Sequence, residues 1–316
     1  MGVTTSGDIG LHVEAGIGLA NDHVSCVLMT GLRHRGVRAI LLKGASLRRL
    51  VYDQSEVRVS ADVDVLVDEG SIDTVEAALS DLGFQYLGVT VADGRRHRRR
   101  AWVHEPTGIP LELHTSITGM EASPGDVWAV LSQETEVEAI GQCSVEVLNR
   151  PGTALHLVLN AAHHGRANAK TMADLSRALS RVPKTTWRAA AVLGARVDAL
   201  PAFAAGLRLD PRGDALLREL EVDAPPTPHV ALRAETAPPL AQGVGWLSEL
   251  ATTGARVRFI VRSVFPPPDF MRVWAPSARR GRFWLVAAYC WRPFWMAAHL
   301  PGAIRAWRLA RRAAAR

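Results

Sequence analysis

The chain has 316 residues, of which 48% are hydrophobic and 22% charged, and it carries a formal net charge of +6. That balance excludes a mostly disordered chain, and the length suits one or two domains with a real core. The basic residues are almost all arginine, with Lys43, Lys170 and Lys184 the only lysines, which sets Lys43 apart from an incidental surface lysine.

The N-terminus is polar, without a basic stretch leading into an apolar core, so no secretion signal is expected. Val24, Val27, Leu28 and Leu32 lie along one side of a helix predicted over 21–34, and Gly36 stops it before a strand over 37–42. Lys43-Gly44 ends that strand. A helix over 45–52 and a polar loop lead to a strand over 58–67. Ser71 then caps a helix over 72–82 that Gly83 terminates. Strands follow over 84–90, 98–104 and 109–116, separated by Asp93-Gly94 and by a turn from Pro106 to Gly108.

After a strand over 143–148 and the turn at Asn149 to Gly152 the pattern becomes helical, with helices over 153–164, 169–180, 185–193 and 212–220. Proline-rich breaks near Pro225 and Pro238 mark a linker. One helix is expected over 244–264. The aromatic stretch 283–300 is split by Arg292-Pro293 into halves too short to span a bilayer. The last segment, 303–316, reads as a short basic helix, either packed on the body with a solvated tail or making a peripheral membrane contact.

The division expected is a tail over 1–19, an α/β catalytic domain over 20–150 and a helical domain over 151–316. Cys26, Cys143 and Cys290 lie far apart with no C-x-x-C, which argues against structural zinc and fits unpaired thiols in a cytoplasmic protein.

The stretch 40–67 carries the chemistry. Asp62 and Asp64 are two residues apart on a strand and therefore share a face. Their mutual repulsion is relieved by a divalent cation, and hard oxygen ligands suit Mg²⁺ (or Mn²⁺). Gly44 at the strand-to-helix turn lets a phosphate approach backbone N–H groups. Phosphate cradle, short helix and D-x-D strand together describe a metal-dependent nucleotidyl transfer site, which a third acid on a neighbouring strand would complete. Glu112 is the candidate, because Leu111 and Leu113 face the core while Glu112 and His114 share the opposite face; Glu105 and Asp93 are rivals. Competing readings are an exposed edge strand for Asp62 and Asp64, a solvent-pointing Lys43, and an ion pair of Arg58 with Asp62 or Glu56. The run from Arg95 to Arg100 is either a solvated hairpin tip or a track for nucleic-acid phosphates.

With Lys43-Gly44, Tyr52, Arg58, Asp62-Val63-Asp64-Val65-Leu66-Val67 and then Leu111-Glu112-Leu113-His114 in this order, the chain resembles the uncharacterised bacterial nucleotidyltransferase family of the polymerase-β-type superfamily. The resemblance covers residues 20–180 and includes a His-rich helical segment from Leu155 to Asp174. It implies an α+β fold: a small mixed sheet with helices on one face, followed by a helical C-terminal domain. It implies a transferase moving NMP from an NTP, ATP foremost, to a hydroxyl or phosphate of a small-molecule or peptide acceptor. Asp62, Asp64 and Glu112 would be catalytic and hold the metal. Lys43, Gly44, Ser46 and Arg58 would bind the nucleotide, with His114, His163 and Asp174 as pocket residues. Relatives place Ser directly after the glycine, whereas this chain has Gly44-Ala45-Ser46. A non-catalytic nucleotide- or RNA-binding protein and an RNA-modifying toxin of the same fold are the alternatives.

Overall fold

The apolar run Ala39–Leu41, buried along its length, forms an inner strand of a seven-stranded sheet in a computed structural model that describes residues 6–53, 60, 62–91, 98–235 and 237–314. The chain divides into two compact units, Met1–Ala224 and Pro225–Arg316. In the first, α1 (Ser6–His34), β1 (Ala39–Leu41), α2 (Ala45–Val51), β2 (Val63–Val67), α3 (Ile72–Asp81), β3 (Phe84–Val91), β4 (Arg98–His104) and β5 (Ile109–His114) come first. There follow α4 (Pro124–Leu131), β6 (Thr135–Ile140), β7 (Cys143–Leu148) and the helices α5 (Arg150–His164), α6 (Ala169–Arg181), α7 (Lys184–Arg196), α8 (Leu200–Leu207) and α9 (Pro211–Glu219).

The sheet order is β3-β4-β5-β2-β1-β7-β6. β1 pairs antiparallel with β2 and parallel with β7, and β2 pairs parallel with β5. Every residue of β2 is buried, as a central strand covered on both faces requires. Val63, Val65 and Val67 pack with Val24 and Leu28 of α1 and Val75 of α3. Strand alternation therefore turns Asp64 and Leu66 to the opposite face, the one on which His156 of α5 reaches the Leu42 carbonyl.

The fold is α+β with a helical C-terminal region, as expected. Several elements differ from the sequence reading. The first helix runs back to Ser6, through positions such as Leu19 that stay exposed and so give no core periodicity. β6 was not expected: it is an edge strand whose Val137 points to solvent and whose Glu136 and Glu138 pair with Arg49. α8 was missed because it is apolar all round and buried, which leaves no amphipathic period to read. Arg95, Arg96 and His97 lie outside the described residues, while Arg100 sits within β4 and pairs with Glu76.

The cysteine reading is corrected. Cys26 of α1 and Cys143 of β7 form a disulfide with Cα atoms 5.8 Å apart, leaving Cys290 free. A separation of 117 residues hid the pairing, which only the packing of α1 against β7 creates. The cysteines therefore no longer argue for a reducing compartment. In the chain-entropy picture a cross-link over so long a loop stabilises by about 5 kcal/mol. Cys143→Ser is accordingly expected to lower the urea midpoint of the oxidised protein, and a reductant should do the same to wild type but not to the variant.

The second unit is all helical: α10 (Pro228–Ala234), α11 (Pro239–Glu249), α12 (Thr253–Val264), α13 (Pro268–Trp274) and α14 (Arg282–Ala314). The helix expected over 244–264 is two, because Thr252 caps a new start by accepting from the Ala255 N–H at 3.2 Å. The C-terminal segments form one 33-residue helix that continues through Pro293 and Pro301. Its two halves are held by separate clusters, Leu285 and Ala288 on Met271 and Ala278, and Ala303 and Trp307 on Leu232 and Ala241.

Candidate functional site

Asp64 is the centre of a buried polar cluster. Its strand neighbour in the parallel register is Glu112, with His114 two residues further along β5 on the same face. Asp64 is 1% exposed. One carboxylate oxygen, Oδ2, lies 2.7 Å from Lys43 Nζ; the other, Oδ1, lies 2.9 Å from His114 Nε2. His114 Nε2 is also 3.6 Å from Glu112 Oε2. Ligand atoms of Asp64, Glu112 and His114 all fall within 4.8 Å of one another, the spacing of a metal-holding group.

The electrostatics follow from burial. Burial alone would push the Asp64 carboxyl up, but the charge of Lys43 and the His114 hydrogen bond outweigh it and hold the group far below the usual carboxylate range. Burial would likewise pull Lys43 down. The charges of Asp64, then Asp62, and more weakly Glu112 keep its ammonium above its ordinary value. Lys43 therefore does not point to solvent; it is the resident counter-charge of Asp64.

Asp62 is half-buried, one residue before β2, and lies outside that group of close ligand atoms. Its backbone carbonyl accepts from Asn21 Nδ2 at 2.9 Å and from Ser60 Oγ at 3.1 Å, which fixes the approach to the strand. Gly44 has φ 83°, a left-handed value that favours glycine, and a β-carbon there would meet open space. Ser46 is fully buried in α2, its Oγ without a hydrogen-bond partner among the described residues. Arg58 lies outside the described residues.

A cleft beside Asp64 is lined by Lys43, His114, Thr118, His156, Asn160 and His163. His163 is one of its lining residues. Asp174 does not line this cleft. It is buried in α6 and accepts a hydrogen bond from the Tyr52 hydroxyl, while the Arg177 guanidinium lies 4.8 Å from the Tyr52 ring centre. The motif tyrosine is thereby a brace between α2 and α6.

His156, Asn160 and Thr118 were missed. The signal was present for the first two: His156, Asn160 and His163 recur at i, i+4 and i+7, one face of a helix. The adjacent pair His163-His164 masks that spacing in the sequence. The His156 Nδ1–H donates to the Leu42 carbonyl at 3.0 Å, so its neutral form leaves Nε2 as an acceptor. Burial first, and the nearby Lys43 charge second, bring its pKa from 6.5 to about 3.

Residues 26–210 match the family described as "Uncharacterised nucleotidyltransferase", and the chain belongs to that family. It is accordingly a nucleotidyltransferase, a transferase of phosphorus-containing groups. None of the curated proteins matches the chain.

Proposed function

We propose that this enzyme transfers NMP from an NTP, ATP foremost, to a hydroxyl or phosphate oxygen of a small-molecule or peptide acceptor, with release of pyrophosphate. The observation that carries this reading is the buried Asp64 carboxylate beside Glu112 and His114, at a cleft lined by Lys43, the residue before the Gly44 turn. The donor set fits a hard divalent cation: two carboxylates converge on one point, and a third, Asp62, lies close enough to act on Lys43. Asp64 and Glu112 would hold Mg²⁺ or Mn²⁺ with help from Asp62, and the ion would supply positive charge for the departing pyrophosphate.

The chain's own groups supply the rest. Lys43 neutralises Asp64 when no cation is there and is placed to pair with phosphate oxygens once one is. In the transfer the acceptor oxygen bonds to the α-phosphorus, the bond to the bridging oxygen of the β-phosphate breaks, and the acceptor proton passes to Glu112. His114 orients the Asp64 carboxylate through its hydrogen bond.

Incubation of the purified chain with α-labelled ATP, Mg²⁺ and a panel of acceptors should give labelled product and pyrophosphate. Failure of labelled nucleotide to bind in the presence of Mg²⁺ or Mn²⁺ would overturn the proposal.

A further inference from the structure

The second unit exposes an apolar face that its sequence surrounds with positive charge. From Ala251 to the C-terminus the chain has thirteen arginines and a single acid, Asp269, although the whole protein carries only +6; the remainder is therefore net acidic. Six of the nine tryptophans also lie beyond Pro225.

On α14, Phe283, Val286, Trp291 and Phe294 are 77, 61, 61 and 70% exposed. At about 100° per residue they fall on one stripe, filled in by Ala287, Cys290, Ala297 and Ala298 and running about 22 Å along the helix. The packed residues, Leu285, Ala288, Tyr289 and Arg292, lie on the opposite side. Between Arg282 and Arg305 the only arginine, lysine or acid is Arg292. It is turned inward, with its Nε–H donating to the Ser263 carbonyl at 2.9 Å and its guanidinium 4.8 Å from the Trp274 ring centre. Nothing charged interrupts the outer stripe.

α12 repeats the arrangement. None of its residues is buried. Val257, Ile260 and Val261 are 54, 46 and 51% exposed on one face, and Phe259 turns the other way onto Trp246. Arg256 flanks the apolar face on one side, and Arg258 and Arg262 on the other. An apolar helix face edged by arginines whose heads can reach outward is the pattern of a helix lying in a bilayer interface. No helix among the described residues is long and apolar enough to cross a membrane.

We propose that the outer faces of α12 and of α14 from Phe283 to Ala298 dock on an anionic lipid bilayer, lying in the headgroup–acyl boundary with the arginines on lipid phosphates. Exposed patches of this kind on a water-soluble surface mark an interaction site, and the near absence of acids selects a negative one. The tryptophans suit a boundary that is apolar on one side and wet on the other. Nucleic acid is the less suitable occupant, since Val257, Ile260, Val261 and Val286 offer no stacking surface and no phosphate contact.

The test is sedimentation of the full-length protein with vesicles of phosphatidylcholine alone or mixed with phosphatidylglycerol. Binding to the anionic vesicles should exceed binding to the neutral ones by about tenfold or more and weaken with salt. Phe294→Glu and Val261→Glu, at exposed positions, should each reduce it by about tenfold with an unchanged circular dichroism spectrum. Absence of vesicle binding, or equal binding by both variants, would overturn the proposal. So would a wild-type dimer that Phe294→Glu dissociates while vesicles bind neither form, or RNA binding without vesicle binding.

Discussion

Asp64→Asn is expected to lower nucleotidyl transfer on the order of 10³-fold and, unlike Asp62→Asn, to destabilise the fold. The activity loss follows from the proposed metal role and is shared by both substitutions. The stability loss separates them. Asp64 is fully buried, and its charge is the largest of those that favour the Lys43 ammonium 2.7 Å away. The amide of asparagine is nearly isosteric and can still meet His114, but it leaves a largely buried ammonium without its counter-charge. Removing one partner of a buried pair costs about 3–5 kcal/mol, a figure that bounds the effect here because Lys43 can lose its proton instead. Asp62 is half-buried and its shorter contacts run through its backbone carbonyl, which the substitution retains; its side chain gives up a 3.4 Å contact from Ser60 Oγ and a charge that acts on Lys43 less than that of Asp64 does. Label transfer and urea unfolding of both variants check this. Equal stability of the two would show that the Lys43–Asp64 pair contributes nothing to folding, and full activity of Asp64→Asn would remove the site from the chemistry.

The same residues show what could be read from sequence and what could not. The Lys43-Gly44 turn, the alternation of Asp62, Val63 and Asp64, and the placing of Glu112 and His114 on one face follow from strand geometry alone. Each is a short-range pattern, and the parallel register that sets Asp64 beside Glu112 respects it. Lys43 as the partner of Asp64 could not be read this way, since it depends on β1 and β2 lying side by side. Tyr52 with Asp174 and Cys26 with Cys143 bridge 122 and 117 residues, so no local signal reports them. His156 is an intermediate case. Its spacing to Asn160 and His163 is local, but that this helix face meets the Asp64 side of the sheet is tertiary information. β6 and α8 failed for opposite reasons, one too polar for a buried strand and the other too uniformly apolar for a surface helix.

His156 yields the second large effect, on the pH dependence of stability in chelator-treated protein. Its folded pKa of about 3 lies below the ordinary 6.5, because burial and the Lys43 charge both oppose a second proton. Between those values the unfolded chain binds the proton and the folded chain does not, so protonation favours unfolding. The stability associated with neutral His156 is fully present above pH 6.5 and is lost progressively as the pH falls toward 3. A gap of this size corresponds to about 4–5 kcal/mol over the whole window. Asp64, held far below the usual carboxylate range, loses its own contribution only at more acid pH, so the upper part of the window belongs to the histidine. His156→Asn keeps a donor for the Leu42 carbonyl but does not titrate. The variant should be less stable at neutral pH, where the smaller side chain leaves a gap. Its unfolding free energy should nevertheless change much less than wild type between pH 7 and pH 4.5. Parallel curves for the two proteins in urea titrations across that range would show that the imidazole accepts its proton without leaving the core, and would dissolve the claim that burial and the Lys43 charge together hold it neutral.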